Sequence, residues 1–264
     1  MNMKATLRLA QLAQLSLWAL CGVAQAAPLP HGGDADEVAR ETRQVDARVV
    51  RVRLEGIVTL RIRQGSAASL TLSGEPRWLT GTSTTQDGDT LSIVTEVQGR
   101  LRRGGLQAEL TLPALREVSS ESLGSTEVAG FSGEELRITL GGAGSMRVAA
   151  HYRLVRANLE GIGSLRLEGL DGDGVDLNLQ GAGVVTLDGR ARWLKAELGG
   201  LGSLDAQQFS VDNVNLDLSG LGNARVTARQ NANLNLSGMG SVTVYGKPLN
   251  RKVSVDGLGK VSWK

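Results

Sequence analysis

The sequence is poor in cysteine, aromatic residues and histidine, and each shortage excludes something. The single cysteine, Cys21, stands near the start of the 264 residues, so neither a disulfide nor thiol chemistry can be built downstream of it. Aromatic residues make up 3% of the chain, which leaves Leu, Val, Ile and Ala to form the core within a hydrophobic share of 41%. Beyond the start of the chain the only imidazoles are His31 and His151, so a serine nucleophile would be short of a base. Nor is there an excess of one charge, with 29 Lys+Arg against 27 Asp+Glu.

The first 26 residues read as a secretory signal. Lys4 and Arg8 give a positive start, Leu9 to Val23 a short apolar core, and Ala24-Gln25-Ala26 the small residues that a signal peptidase reads. Gln11, Gln14 and Ser16 interrupt that core, which falls short of the ~20 apolar residues a membrane helix needs. Cleavage after Ala26 is therefore expected, with no integral membrane span left afterwards. Only Lys4 and Arg8 are charged in this segment, so residues 27–264 carry 27 charges of each sign. The short cluster Arg100, Arg102 and Arg103 has no interleaved aromatics and reads as surface charge, so no nucleic-acid partner is expected. Residues 27–45, with Pro28, Pro30, Gly32 and Gly33 followed by mixed charge, read as a flexible leader.

Glycine is what the chain has in quantity, at 35 residues. It recurs as Gly-x-Gly at Gly142, Gly161, Gly181, Gly200, Gly220, Gly238 and Gly257, separated by 19, 20, 19, 20, 18 and 19 residues. A degenerate copy, Ser122-Leu123-Gly124, lies 20 residues upstream of the first. Two and four residues before each pair stand apolar columns such as Leu140/Ile138, Leu179/Leu177 and Val255/Val253. Two more columns follow each pair, from Met146/Val148 to Val261/Trp263. This period-2 alternation marks strands with one buried face. Each unit thus reads as strand, glycine corner, strand, then a turn such as Ala206-Gln207-Gln208-Phe209.

One such unit cannot bury its apolar face alone, and stacking puts like residues over like at about 4.8 Å. A right-handed parallel β-helix, or solenoid, with 18–20-residue rungs follows, all-β and running over residues 46–264. Antiparallel barrels need no fixed 19-residue register, and a propeller blade is roughly twice as long. Earlier segments echo the repeat. LEGIVTLRI (Leu54 to Ile62) matches LEGIGSLRL (Leu159 to Leu167), Leu70, Leu72 and Gly74 repeat the spacing, and GEPRWL (Gly74 to Leu79) matches GRARWL (Gly189 to Leu194).

These residues resemble a known family. The repeated Leu-x-Leu-x-Gly-x-Gly-Ser, with VTLRIRQGSAASLTLSG, DGDTLSIVTE and LTLPAL in the first half, is similar to the GIN-domain family of auto-transporter adhesin heads over roughly residues 48–246. The resemblance implies a β-helix in a bacterial cell-envelope protein and an adhesive role, and it brings no catalytic residue, cofactor or metal to transfer. An exported, non-catalytic binding module in the periplasm or at the cell surface, presenting a rigid solenoid to a glycan or protein, is the resulting expectation. A polysaccharide-active β-helix enzyme and a purely structural protein are the alternatives.

Several columns carry candidate sites. The residue inside each glycine pair gives Ile162, Ala182, Leu201, Leu221, Met239 and Leu258. Strict alternation would expose it as an apolar partner surface. A glycine bend would turn it inward, and the inward reading is preferred here. Three residues before each pair stand Asn158, Asn178, Glu197, Asp217 and Asn235. Glu197 beside Asp217 would place two carboxylates about 5 Å apart, suited to a cation, acid/base work or carbohydrate; a solvated face relieved by Lys195 or Arg225 is the plainer account. Ser125, Ser145, Ser164, Ser203, Asn223 and Ser241 read as a structural hydroxyl ladder. Asp171-Gly172-Asp173-Gly174-Val175-Asp176 clusters oxygen ligands but lacks the EF-hand spacing and reads as a loop turn.

Overall fold

A computed structural model describes residues 38–96 and 105–264. The expected signal segment, the leader up to residue 37 and the Arg100–Arg103 cluster lie outside the described residues. In chain order the elements are β1 (Ala39–Arg43), β2 (Arg51–Gly56), β3 (Val58–Gln64), β4 (Ser69–Gly74), α1 (Pro76–Thr80), β5 (Thr82–Asp87) and β6 (Thr90–Thr95). Then come β7 (Leu106–Leu112), β8 (Glu117–Ser122), β9 (Ser125–Leu140), β10 (Ser145–Leu159), β11 (Ser164–Leu179) and β12 (Val184–Leu198). The chain finishes with β13 (Ser203–Leu218), β14 (Leu221–Leu236), β15 (Met239–Tyr245), β16 (Asn250–Val255) and β17 (Lys260–Trp263).

From β9 to β14 each strand pairs parallel with the next, in the register that the glycine spacing predicts; β15 and β16 then both pair with β14, and β17 with β15. Leu140, Leu159, Leu179, Leu198, Leu218 and Leu236 align across consecutive rungs. The result is the expected all-β solenoid, of about 7 turns with rungs about 20 residues apart. The predicted inward columns are buried in one apolar cluster except at the last rung, where Val253 and Val255 are exposed and Val261 and Trp263 only partly buried; each fully buried leucine contributes roughly 1.5–3 kcal/mol.

The glycine pairs are explained by close approach. A Cβ on Gly161 would collide with the carbonyl oxygen of Gly142 in the rung before. Gly181 stands in the same relation to Gly161, and Gly220 to Gly200. None of these positions has positive φ. Successive backbones meet here with no room for a side chain, and the rungs stay bonded across the corner: Leu201 N–H donates to Gly181 O and Leu221 N–H to Gly200 O, both at 3.1 Å.

The second half of each rung departs from expectation. No turn forms at Ala206-Gln207-Gln208-Phe209, because β13 runs through it with a register shift between Ala206 and Ser210, and Phe209 is fully buried. β11 likewise spans Asp171–Asp176, so that stretch is strand and not loop turn. An irregularity in the ladder bends the chain while most cross-rung hydrogen bonds persist. In three rungs a positive-φ glycine stands near it: Gly130, Gly169 and Gly189. At the degenerate copy, Ser120 replaces a column leucine, and its buried hydroxyl is satisfied by Ser122 at 2.9 Å.

The amino-terminal part is not a simple continuation of the stack. The rung β2–β3 lies between β6–β7 on one side and β8–β9 on the other, all parallel. The chain reaches β6 by folding back: β4 runs antiparallel to β7, β1 antiparallel to β4, and β5 antiparallel to β6. Leu70 and Leu72 are therefore buried, but in a reversed strand and not in a second parallel rung. The likeness of GEPRWL to GRARWL also fails structurally. Pro76 lacks the N–H a ladder requires and opens helix α1, whereas Trp193 lies within strand β12. Strand β1 falls inside the stretch read as leader.

Two outcomes follow. Gly220→Ala, which drives a methyl into Gly200 O, should cost about 1–3 kcal/mol in urea unfolding. Gly105→Ala, whose Cβ meets nothing, should stay within about 0.5 kcal/mol of the parent. The second outcome concerns Tyr152, which is buried with its hydroxyl donating to Leu115 O at 2.6 Å; burial pushes its pKa from 10.0 up to about 12. The folded chain thus holds this proton more tightly than the unfolded one, and that contribution is complete below the unfolded pKa and lost as pH rises toward about 12. Tyr152→Phe should cost about 1 kcal/mol at neutral pH and flatten the alkaline loss of stability, as followed by denaturation from neutral to high pH.

Candidate functional site

The residue inside each glycine pair faces solvent, which overturns the preferred inward reading. Leu123, Ile162, Leu201, Leu221, Met239 and Leu258 are between 45% (Leu221) and 82% (Leu258) exposed, a range normally reached by polar side chains. The reason lies in the glycines. Their Cβ directions point into the rung before, so the residue between them, by alternation, is turned outward. Ala143 and Ala182 complete the series, which makes one apolar tooth per rung. Backbone hydrogen bonds at the corners hold the teeth in line. On one flank the bare glycines leave a trough of about 470 Å³ lined by Gly124, Ser125, Gly144, Ser145, Gly163 and Ser164.

The polar column stacks as the spacing predicts: Asn158 beside Asn178, then Glu197, Asp217 and Asn235. Its electrostatics favour the solvated-face account. Lys195 Nζ lies 2.7 Å from Glu197 Oε1, and this hydrogen bond, with the charges of Asp176, Glu197 and Asp217, raises the lysine's pKa. Glu197 is thus neutralised within its own rung, while Arg225 pairs with Asp205 and not Asp217. A shallow groove of about 350 Å³ crosses this face among Arg137, Arg156, Asn158, Asp176, Lys195 and Glu197. Asn158 donates to Glu160 at 2.7 Å, yet its buried Oδ1 has no partner among the described residues. One column further out, Trp193 is half-buried, its indole lying where a Cβ on Gly174 would stand.

The serine column also stacks in register, Ser125, Ser145 and Ser164 in one run, and Ser203, Asn223 and Ser241 in another after Val184. It is not a continuous hydroxyl ladder: among the described residues its side-chain bond is Ser241 to Asn223 at 2.6 Å. The stronger ladders escaped the sequence reading. They are made by amides, with Asn250 donating to Asn231 at 2.7 Å, Asn231 to Asn213, and Asn233 to Asn215 at 2.8 Å. The repeat of Asn at the same offset in consecutive units was the available signal.

Two of the β11 aspartates, Asp171 and Asp173, are held by arginines of adjacent rungs. Asp171 accepts from Arg190 at 2.7 Å, which holds its carboxyl below the usual aspartate range. Asp173 accepts from Arg153 at 2.7 Å and also faces Arg192 at 3.4 Å, and Arg153 reaches on to Glu134 at 2.8 Å. Among the described residues no cluster of three or more potential ligands could hold a metal ion. No helix there is long and apolar enough to cross a membrane.

A family model described as "Putative auto-transporter adhesin, head GIN domain" matches residues 50–248. No curated protein matches the chain. Among solved structures, a protein described as a "putative adhesin" from Parabacteroides merdae superposes with a TM-score of 0.78 at 16% identity, covering 86% of this chain and 96% of that one. A "putative adhesin" from Bacteroides fragilis gives 0.67 at 16% identity, covering 87% and 98%. A "Putative lipid binding protein" from Parabacteroides distasonis gives 0.73 at 14% identity, covering 85% and 96%. At these identities the likeness establishes the fold and carries no ligand.

The arginine pairing of β11 leads to a simple expectation. Millimolar calcium should leave the melting temperature unchanged, because Asp171 and Asp173 are already neutralised by guanidinium groups. A calcium-dependent rise in thermal stability, lost in Asp173→Asn, would restore the cation reading.

Proposed function

The chain belongs to the family described as "Putative auto-transporter adhesin, head GIN domain", and on that premise we propose that it is an exported, non-catalytic binding module of the cell envelope. The observation that carries the reading is the line of outward apolar teeth from Leu123 to Leu258. Monomeric proteins seldom display a regular apolar row of this length, and a surface of this kind is suited to a protein partner with a complementary groove. Hydrogen bonding between rungs preorganises it, so little conformational entropy is lost on binding.

A glycan on the polar face is a second reading, favoured by the groove with its unpartnered Asn158 Oδ1 and the nearby half-buried Trp193, whose ring offers a stacking surface. A polysaccharide-active enzyme draws less support, since Glu197 is tied to Lys195. An exported chain of this family works at the cell surface or in the periplasm, in keeping with the signal expected in residues 1–26.

Leu201→Ser with Leu221→Ser should leave stability within about 0.5 kcal/mol, as both side chains are exposed. The pair should abolish binding to intact cells or envelope extracts in a pull-down read by surface plasmon resonance. Binding that survives the pair but is competed by an oligosaccharide would move the site to the polar face. Turnover of an acidic polysaccharide, lost in Asp217→Ala, would overturn the non-catalytic assignment.

A further inference from the structure

The last rung described, β16 and β17, differs in chemistry from the rungs before it. Residues 245–264 contain Lys247, Arg251, Lys252, Lys260 and Lys264 against the single acidic side chain Asp256. None of these five cations makes an ion pair among the described residues, whereas Arg147, Arg153, Arg190 and Arg225 each pair with a carboxylate of an adjacent rung. The same rung exposes apolar side chains: Leu249 is 84% and Leu258 82% exposed, and the core-column residues Val253 and Val255 are each 42% exposed. Two aromatics stand beside the cations, with the Arg251 guanidinium 4.5 Å from the Trp263 ring centre and Lys264 Nζ 5.8 Å from that of Tyr245.

We propose that this rung is a docking surface for an anionic lipid bilayer, on which the solenoid sits end-on. Unpaired cations mixed with protruding leucines, a tryptophan and a tyrosine form the composition that an interfacial surface requires. The cations meet lipid phosphates, the leucines reach the acyl boundary, and the aromatic rings lie at headgroup depth. An acidic polysaccharide would satisfy the cations but leave Leu249 and Leu258 in water. A second copy stacked rung on rung is opposed by Arg251. It stands in register with Ala232, in the buried column Val214–Ala232, and head-to-head stacking would bring it and four lysines against the same cations of the other copy. An inward-pointing charge at a sheet edge is a known device against strand addition. No described strand pairs with the outer edges of β16 and β17, so their free N–H and C=O groups exclude deep insertion into hydrocarbon. Docking therefore stops at the headgroup layer, where water and phosphates satisfy those groups.

The test is flotation of the full chain with vesicles of phosphatidylcholine alone or mixed with phosphatidylglycerol. Binding should require the anionic lipid and weaken with salt. Each lysine is expected to contribute roughly fivefold, so the triple variant Lys252→Gln, Lys260→Gln, Lys264→Gln should lose on the order of 100-fold. Leu249→Ser with Leu258→Ser should lose at least ~10-fold, with circular dichroism unchanged in both variants. The ridge pair Leu201→Ser, Leu221→Ser should float like the parent, which separates this surface from the rest of the ridge proposed for the protein partner, the two sharing only Leu258. Equal binding to neutral vesicles, or anionic binding untouched by the triple variant, overturns the proposal. A loss with the lysine variants but none with the leucine pair overturns it in favour of a soluble polyanion or an acidic protein.

Discussion

The whole structure depends on one contact, the approach of glycine backbone to glycine backbone at the corner of each rung. The carbonyl of Gly142 occupies the space that a Cβ on Gly161 would need, and the relation recurs up the stack. Because no side chain separates the rungs there, N–H groups of the corner reach the carbonyls of the rung before, and the hydrogen-bond ladder continues round the bend. A corner of this kind is held by hydrogen bonds and by excluded volume. The absence of disulfides is therefore no handicap: the leucine columns supply the apolar burial, and the corners supply the register.

The same contact creates the surface. A glycine pair has two Cβ directions blocked by the neighbouring rung, so the residue it encloses is turned to solvent. In this chain that residue is Leu, Ile, Met or Ala at every rung of the repeat. The flat faces obey a different rule. There, outward residues of consecutive rungs stand one above another at strand spacing, so charge and amide chemistry must be resolved between rungs. Arg153 bridging Glu134 and Asp173 is one solution, and the amide chain Asn213–Asn231–Asn250 is another. Exposed pairs of this sort add little stability each, and their role is to keep a stacked face free of like-charge clashes.

The legible part of the fold was whatever repeats. The 18–20-residue glycine spacing predicted parallel rungs, and the leucine columns predicted which side chains are buried, down to Leu140 and Leu236. Local signals misled where they competed with that register. Gln207-Gln208 looks like a turn, yet the ladder carries β13 through it, because unpaired backbone beside a parallel stack would cost more than an irregularity. Leu70 and Leu72 repeat the spacing, yet β4 runs backwards, since strand direction leaves no trace in an alternating pattern. The outward ridge was legible only as one of two options, because alternation and glycine bending point the central residue opposite ways.

By itself, the sequence determined the architecture, the core columns and the family, because identical units at a fixed period have to stack like on like to bury their leucines. It also determined which residues share a column, including Asn158 with Asn178 and Glu197 with Asp217. Only the tertiary structure decided which way Leu221 and its companions face, that Glu197 belongs to Lys195, that Asp171 and Asp173 belong to arginines, and that the amino-terminal strands reverse. Apart from the Lys195–Glu197 pair, which forms within one strand, each of these depends on what lies one rung away, about 20 residues along the chain or more, and local pattern carries no information about the direction from which a neighbour arrives.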